Sequence, residues 1–127
     1  MKILYIEDND QNFYLVNYIL RAKGYEVIRA RDGREGVKLA EEQEPMLILL
    51  DIQLPVMDGY ATARELRTIF RLSGIPIVAL TSYAMAGDRE KALSAGCIGY
   101  IEKPINPKTF VAQIEEYLVP EHQESKP

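Results

Sequence analysis

Apolar residues follow two rhythms along this chain, and the two alternate. Runs such as Leu47-Ile48-Leu49-Leu50 and Ile75-Pro76-Ile77-Val78-Ala79-Leu80 are unbroken. Such runs suit strands buried on both faces of a sheet. Between them, apolar residues recur at three- and four-residue spacing, which marks one face of a helix. The first strand is expected over Lys2–Ile6 and a helix from Asp10 to Lys23, with Phe13, Val16, Ile19 and Leu20 inward and Gly24 as its stop. Tyr25–Arg29 reads as the second strand, and Asp32-Gly33 turns into a helix over Arg34–Glu42. A third strand spans Met46–Leu50. Asp58 then caps a helix through Arg71, with Ala63, Leu66, Ile69 and Phe70 inward and Ser73-Gly74 ending it. Ile75–Leu80 is the fourth strand, Pro76 being tolerated near its start.

The fourth helix, Ala84–Ser94, is rich in Ala and contains Gly87. It offers only Met85 and Leu93 as large apolar side chains, so it is expected to pack least firmly, and Gly96 closes it. Ile98–Glu102 is the fifth strand, and a last helix over Pro107–Leu118 turns Phe110, Val111, Ile114, Tyr117 and Leu118 inward. Beyond it the sequence is polar and aperiodic. The expected organisation is one domain over residues 1–119 and a flexible tail over 120–127.

Five strand–helix units with short connections predict an α/β fold, a doubly wound five-stranded parallel sheet with right-handed crossovers. The common order for five strands is 2-1-3-4-5, with the switch point between strands 1 and 3, and ligands bind at the carboxyl ends of the strands. Glu7-Asp8 ends the first strand, Asp51 the third, Thr81 the fourth, and Lys103 the fifth. That topology gathers three carboxylates, a hydroxyl and an ammonium on one rim.

Composition narrows the classes. A length of 127 residues argues for one domain. With 47% apolar and 27% charged residues the chain reads as soluble and globular. A net charge of −4 implies no basic face for nucleic acid. No apolar run approaches the ~20 residues that cross a bilayer. Met1-Lys2 leads straight into a strand with no signal-like apolar stretch, so a cytoplasmic protein is expected. The single Cys97 allows neither an internal disulfide nor a cysteine zinc cluster, and reads as a small core residue.

Taken singly, the rim residues have ordinary readings. Glu7-Asp8-Asn9-Asp10 can cap a helix, Asp51 a loop and Thr81 a strand end, and Lys103 can be a solvated cation. Taken together they are restrictive. Two ionised carboxylates about 4 Å apart repel by roughly 4 kcal/mol at an effective dielectric of 20. Such a cluster holds a proton or a cation. All-oxygen ligands favour a hard ion, and open positions favour Mg²⁺ shared with phosphate over a Ca²⁺ cage. Lys103 supplies a point charge for a phosphoryl group and Thr81 a hydroxyl donor. An Asp can itself take up phosphoryl as a carboxylate nucleophile.

The acidic pair Glu7-Asp8, the run through Asp51-Ile52-Gln53-Leu54-Pro55-Val56-Met57-Asp58-Gly59, Thr81 and Lys103-Pro104 together resemble a response-regulator receiver domain, over about residues 2–118. The resemblance implies a CheY-like, flavodoxin-like (βα)5 fold. It implies that Asp51 is the phosphoacceptor and that Glu7, Asp8 and Asp51 hold Mg²⁺ with the backbone carbonyl of Gln53. It further implies that Thr81 and Lys103 bind phosphoryl oxygens, that Lys103-Pro104 is cis, and that Tyr100 is the switch aromatic. Gln53 and Tyr83, two residues beyond Asp51 and Thr81, are expected to tune the lifetime of the phosphorylated form. The stretch from Thr81 to Asp88 resembles receivers of hybrid kinases and stand-alone relay regulators more than those of DNA-binding regulators.

The expected function is a Mg²⁺-dependent phosphoacceptor of a two-component or phosphorelay system, not an enzyme beyond its own phosphorylation and slow dephosphorylation. Its donor is a histidine kinase or a histidine phosphotransfer protein. Too few residues follow Leu118 for an output domain, so output is expected through a protein partner reading the fourth helix, fifth strand and fifth helix, or through onward transfer. Two other classes compete. A flavin-binding electron carrier on the same fold needs a Gly- and hydroxyl-rich phosphate loop where Glu7-Asp8-Asn9-Asp10 stands. A phosphorylation-independent scaffold has no use for the intact acidic pair, Thr81 and Lys103.

Overall fold

The unbroken apolar runs do form a parallel sheet. The computed structural model describes residues 1–54, 57–69, 74–82 and 87–118. Among these, β1 (Lys2–Ile6), β2 (Glu26–Ala30), β3 (Leu47–Asp51), β4 (Ile77–Thr81) and β5 (Gly99–Glu102) lie in the order β2-β1-β3-β4-β5. Ile6 is in register with Ala30 and Leu50, Asp51 with Leu80, and Thr81 with Glu102. The helices are α1 (Asp10–Ala22), α2 (Gly33–Gln43), α3 (Gly59–Thr68), α4 (Asp88–Ala95) and α5 (Phe110–Glu116).

Alternation along the strands splits the core in two. Leu4, Ile6, Ile48, Leu50, Ile77 and Ala79 pack with Val37, Ala63, Leu66, Ala92 and Ala95, on the side of α2, α3 and α4. Ile3, Tyr5, Leu47, Leu49, Val78, Leu80 and Ile101 pack with Val16, Leu20, Phe110 and Ile114, on the side of α1 and α5. Three helices start where a side chain meets their first free N–H groups. Asn9 accepts from Asn12 N–H, Asp32 from Glu35 N–H, and Asp58 from Ala61 N–H. Gly24, with φ of 93°, follows α1 as expected.

Several boundaries differ from the sequence expectation. The second and third strands sit one residue later, the fourth starts at Ile77, and the fifth starts at Gly99. Pro76 still contributes its carbonyl, which accepts from Ile48 N–H at 2.9 Å. α3 ends at Thr68 instead of Arg71, because Ile69 is extended with φ −88° and ψ 113°. Just before that exit the Arg67 guanidinium leaves the helix to donate to Gly96 O and Ile75 O, both at 2.8 Å. Residues 107–109 form turns around Asn106, whose side chain accepts from Lys108 N–H, so α5 begins at Phe110. The expected positions Phe70, Arg71, Ser73, Ala84 and Met85 and the tail 120–127 lie outside the described residues.

Leu93 adds little to the core. It is 42% exposed, and the described part of α4 buries Ala92 and Ala95 instead. The two alanines are three residues apart and so share a face, while Leu93 falls on the flank. Small side chains there leave this helix with little apolar burial, in keeping with the expected loose packing. Cys97 is buried in the core as a free thiol, and burial pushes it up to about 11, so it packs as a neutral group.

Gly59 opens α3 directly under the end of β3. Its N–H donates to Ile52 O at 3.0 Å, and a Cβ here would stand 2.5 Å from Ile52 Cα and 2.8 Å from Asp51 O. Those neighbours are backbone and cannot swing aside. Although Gly→Ala in a helix ordinarily gains about 1 kcal/mol, Gly59→Ala is expected to cost about 2 kcal/mol net through overpacking. Urea unfolding of the two proteins, compared at equal m-value, checks the sign.

Candidate functional site

The strand parity that forms the two cores also sorts the rim. Tyr5 and Leu49 point to the α1/α5 side, as does Ile101. Two residues on along each strand direction come Glu7, Asp51 and Lys103. These three meet: Lys103 Nζ lies 3.2 Å from Asp51 Oδ1 and 3.5 Å from Glu7 Oε1. Glu7 is 0% and Asp51 3% exposed, so both carboxyls are taken out of water where their strands end. Asp8, the next residue, is exposed and completes a group of three carboxylates whose ligand oxygens lie within 4.8 Å of one another.

Buried carboxylates need partners. Glu7 Oε1 accepts from the Tyr5 phenol at 2.9 Å, and Glu7 Oε2 accepts from Asn9 N–H at 3.1 Å. The main chain of Glu7 is held as well: its N–H donates to Ala30 O at 2.9 Å, and its carbonyl accepts from Arg29 Nε at 3.2 Å. The Arg29 guanidinium lies 4.6 Å from the centroid of the Phe13 ring. Its Nη2 sits 2.9 Å from Asp10 Oδ1 without the alignment of a hydrogen bond. Arg29 and Arg31 together hold the Asp10 carboxyl below the usual carboxylate range.

Asp51 responds to the opposite pressure. Burial and the adjacent Glu7 charge raise its carboxyl from 3.8 to about 6, against the pull of the Gln53 N–H (3.1 Å) and of Lys103. One ammonium therefore does not neutralise the cluster, and a cation or a proton is wanted there. Among the described residues this group is suited to a hard divalent ion, since all its ligand atoms are oxygens and Asp8 remains exposed to receive one.

Thr81 ends β4, one strand over from Asp51, and is 5% exposed. Its parity matches Ala79, which is in register with Tyr100, so Thr81 and Tyr100 are diagonal neighbours on the α3/α4 side. Tyr100 is half-buried against that core and does not join the carboxylate cluster. The Lys103-Pro104 peptide is cis. The Gln53 side chain is exposed, and Tyr83 lies outside the described residues. Sequence reasoning missed Tyr5, Arg29 and Asn9 as supports of Glu7. Tyr5 alone had a visible signal, a phenol within an otherwise aliphatic strand, two residues before the acid and hence on its face.

Known proteins resemble this chain. The family model of the response regulator receiver domain matches residues 3–115. The chain is 42% identical over 116 residues to the polar-differentiation response regulator DivK of Brucella anthropi, covering 91% of this chain and 94% of that protein. Among solved structures it is similar to the receiver domain of a sensor histidine kinase from Pseudomonas aeruginosa PAO1, which holds a magnesium ion in its active-site cleft. The TM-score is 0.85 at 38% identity, over 92% of this chain and 96% of that one. The chemotaxis response regulator CheY4 of Vibrio cholerae gives a TM-score of 0.86 at 29% identity, over 91% and 96% of the two chains. Fold, rim chemistry and these likenesses agree that the chain belongs to the response regulator receiver domain family, the phosphoacceptors of two-component signalling.

Proposed function

We propose that Asp51 is the residue that takes phosphoryl from a phosphohistidine donor. The observation that carries this reading is the burial of Asp51 between Glu7 and Lys103 at the end of the central strand. An Asp51 carboxylate oxygen attacks phosphorus, the P–N bond of the donor breaks, and its electron pair stays on the imidazole nitrogen. Lys103 Nζ, 3.2 Å from Asp51 Oδ1, stands ready to face an arriving phosphoryl oxygen with a positive point charge. Thr81 supplies a hydroxyl donor from the neighbouring strand. Mg²⁺ fits the donor set of Glu7, Asp8, Asp51 and the Gln53 carbonyl, and when bound it relieves the carboxylate repulsion and neutralises charge on the transferring group. Gln53 and Tyr83, at the loop positions beyond Asp51 and Thr81, tune how long the phosphoryl persists.

On this reading residues 1–119 form a receiver domain. It catalyses its own phosphorylation and slow dephosphorylation only, and works with a histidine kinase or phosphotransfer protein in the cytoplasm. Output runs through α4, β5 and α5. A phosphoryl group adds about −1.5 to −2 charges and three acceptor oxygens. Thr81 moves toward it, and Tyr100, its diagonal neighbour, turns inward to fill the space. Shifting such an equilibrium from 1:99 to 99:1 needs about 5.5 kcal/mol, which a few charge-assisted hydrogen bonds of ~1.5–3 kcal/mol supply.

Acetyl phosphate should label the parent protein once, with a base-labile acyl phosphate read by mass spectrometry. Asp51→Asn should lose that label, and full labelling of the variant would assign the acceptor elsewhere.

The raised Asp51 pKa has a definite linkage sign. A carboxyl raised on folding contributes stability that is fully present below about pH 4 and is lost as pH rises through about 6. A divalent ion competes with the proton, so its stabilisation should grow as the proton leaves. Saturating Mg²⁺ is expected to raise the Tm by about 5 °C near pH 7.5 and by less than half of that near pH 5. Equal shifts at both pH values would uncouple the metal from Asp51.

Thr81→Ala should still accept phosphoryl at Asp51 yet respond weakly elsewhere. With a beryllofluoride mimic, NMR shifts in Tyr100 and α4 should shrink to a small fraction of those in the parent. A full set of shifts in the variant would sever Thr81 from the output.

A further inference from the structure

Tyr5 is fully buried in the middle of the central layer, between Leu4 and Ile6, where packing alone would be served by Phe. Its ring stacks on Phe13, with centroids 5.9 Å apart and planes inclined by 23°. Phe13 in turn carries the Arg29 guanidinium at 4.6 Å from its centroid. The two ends of this stack touch the same residue. At one end the Tyr5 hydroxyl donates to Glu7 Oε1 at 2.9 Å, and at the other Arg29 Nε donates to the Glu7 carbonyl at 3.2 Å. A buried phenol must find an acceptor, and here the acceptor is one of the three rim carboxylates instead of a passing main-chain carbonyl.

From this geometry we infer that Tyr5 is a positioning residue for the cation site: its hydroxyl fixes the Glu7 carboxylate so that the carboxyls meet the metal already arranged. The inference rests on the reading of Glu7, Asp8 and Asp51 as the metal and phosphoacceptor site. A Glu carries one more rotatable bond than an Asp, so its terminal oxygens wander further unless something holds them. Asn9 N–H holds Oε2 from the loop, and Tyr5 holds Oε1 from within the sheet. Preorganised ligands bind tighter because the ordering cost is met before the ion arrives.

Tyr5→Phe keeps the ring, its stacking and its burial while deleting the donor. Titration of the folded variant with MgCl₂, followed by amide NMR shifts, should give a Kd about tenfold weaker than the parent, the scale of one hydrogen bond to a charged group. In a Glu7→Gln background the same substitution should change the Kd by less than about twofold, since the partner it acts through is gone. A role confined to stability would lower the thermal midpoint and leave both constants untouched. Unchanged or tighter binding in Tyr5→Phe, or an equal loss in both backgrounds, overturns the inference. A second readout needs no change at Tyr5. The parent should show a slowly exchanging phenol proton that shifts on addition of MgCl₂ and is lost in Glu7→Gln, and its absence from the parent would overturn the inference equally. Failure of the phosphoacceptor reading is distinguishable, because it appears as undiminished labelling of Asp51→Asn.

Discussion

Burying two like charges side by side is the constraint from which the rest of this molecule follows. Glu7 and Asp51 are withdrawn from water at the ends of adjacent strands, and their mutual repulsion is opposed by one ammonium, two main-chain N–H groups and a phenol. Such an arrangement is costly unless its members are rigidly placed. A parallel sheet covered on both faces provides that rigidity. Glu7, Asp51 and Thr81 are each the last residue of a strand or the first beyond one, and the strands behind them are anchored in fully buried apolar side chains, while Lys103 follows β5 directly. The cluster stays short of positive charge, and that shortage suits the site to a cation.

The same parity divides labour between the two faces of the sheet. Glu7, Asp51 and Lys103 continue the α1/α5 side, where the carboxylate cluster sits. Thr81 and Tyr100 belong to the α3/α4 side, where α4 contributes only alanines to the buried core among its described residues. The two faces flanking the rim are therefore held by side chains of unequal size. The Tyr5–Phe13–Arg29 stack lies on the α1/α5 side, consistent with a fixed frame for the acidic pair.

Much of this was legible in the residues. Unbroken apolar runs mark the strands because both faces are covered, and the punctuation of Asp58, Gly24 and Gly96 marks helix ends because caps are local chemistry. The rim residues could be assembled from strand ends alone, since topology turns sequence order into adjacency. Other features depend on distances that sequence does not carry. Leu93 is large and apolar, yet Ala92 and Ala95 are the residues that α4 buries. α3 was extended too far because the departure of Arg67 toward Gly96 O and Ile75 O is a tertiary event. Tyr5 entered the sequence reading only as part of the first strand, since the reach of its hydroxyl to Glu7 is a distance that strand position does not give.

The order β2-β1-β3-β4-β5 leaves the sheet open, with β2 and β5 at its margins. Open margins invite foreign strands to add on, and proteins blunt them with short segments, charge and proline. β5 is four residues long and runs directly into Lys103 and then Pro104, which has no N–H to offer. β2 is five residues long and carries Glu26 and Arg29. Neither margin presents a long apolar ladder, so the geometry that concentrates charge at one rim also guards this small sheet against growing into an aggregate.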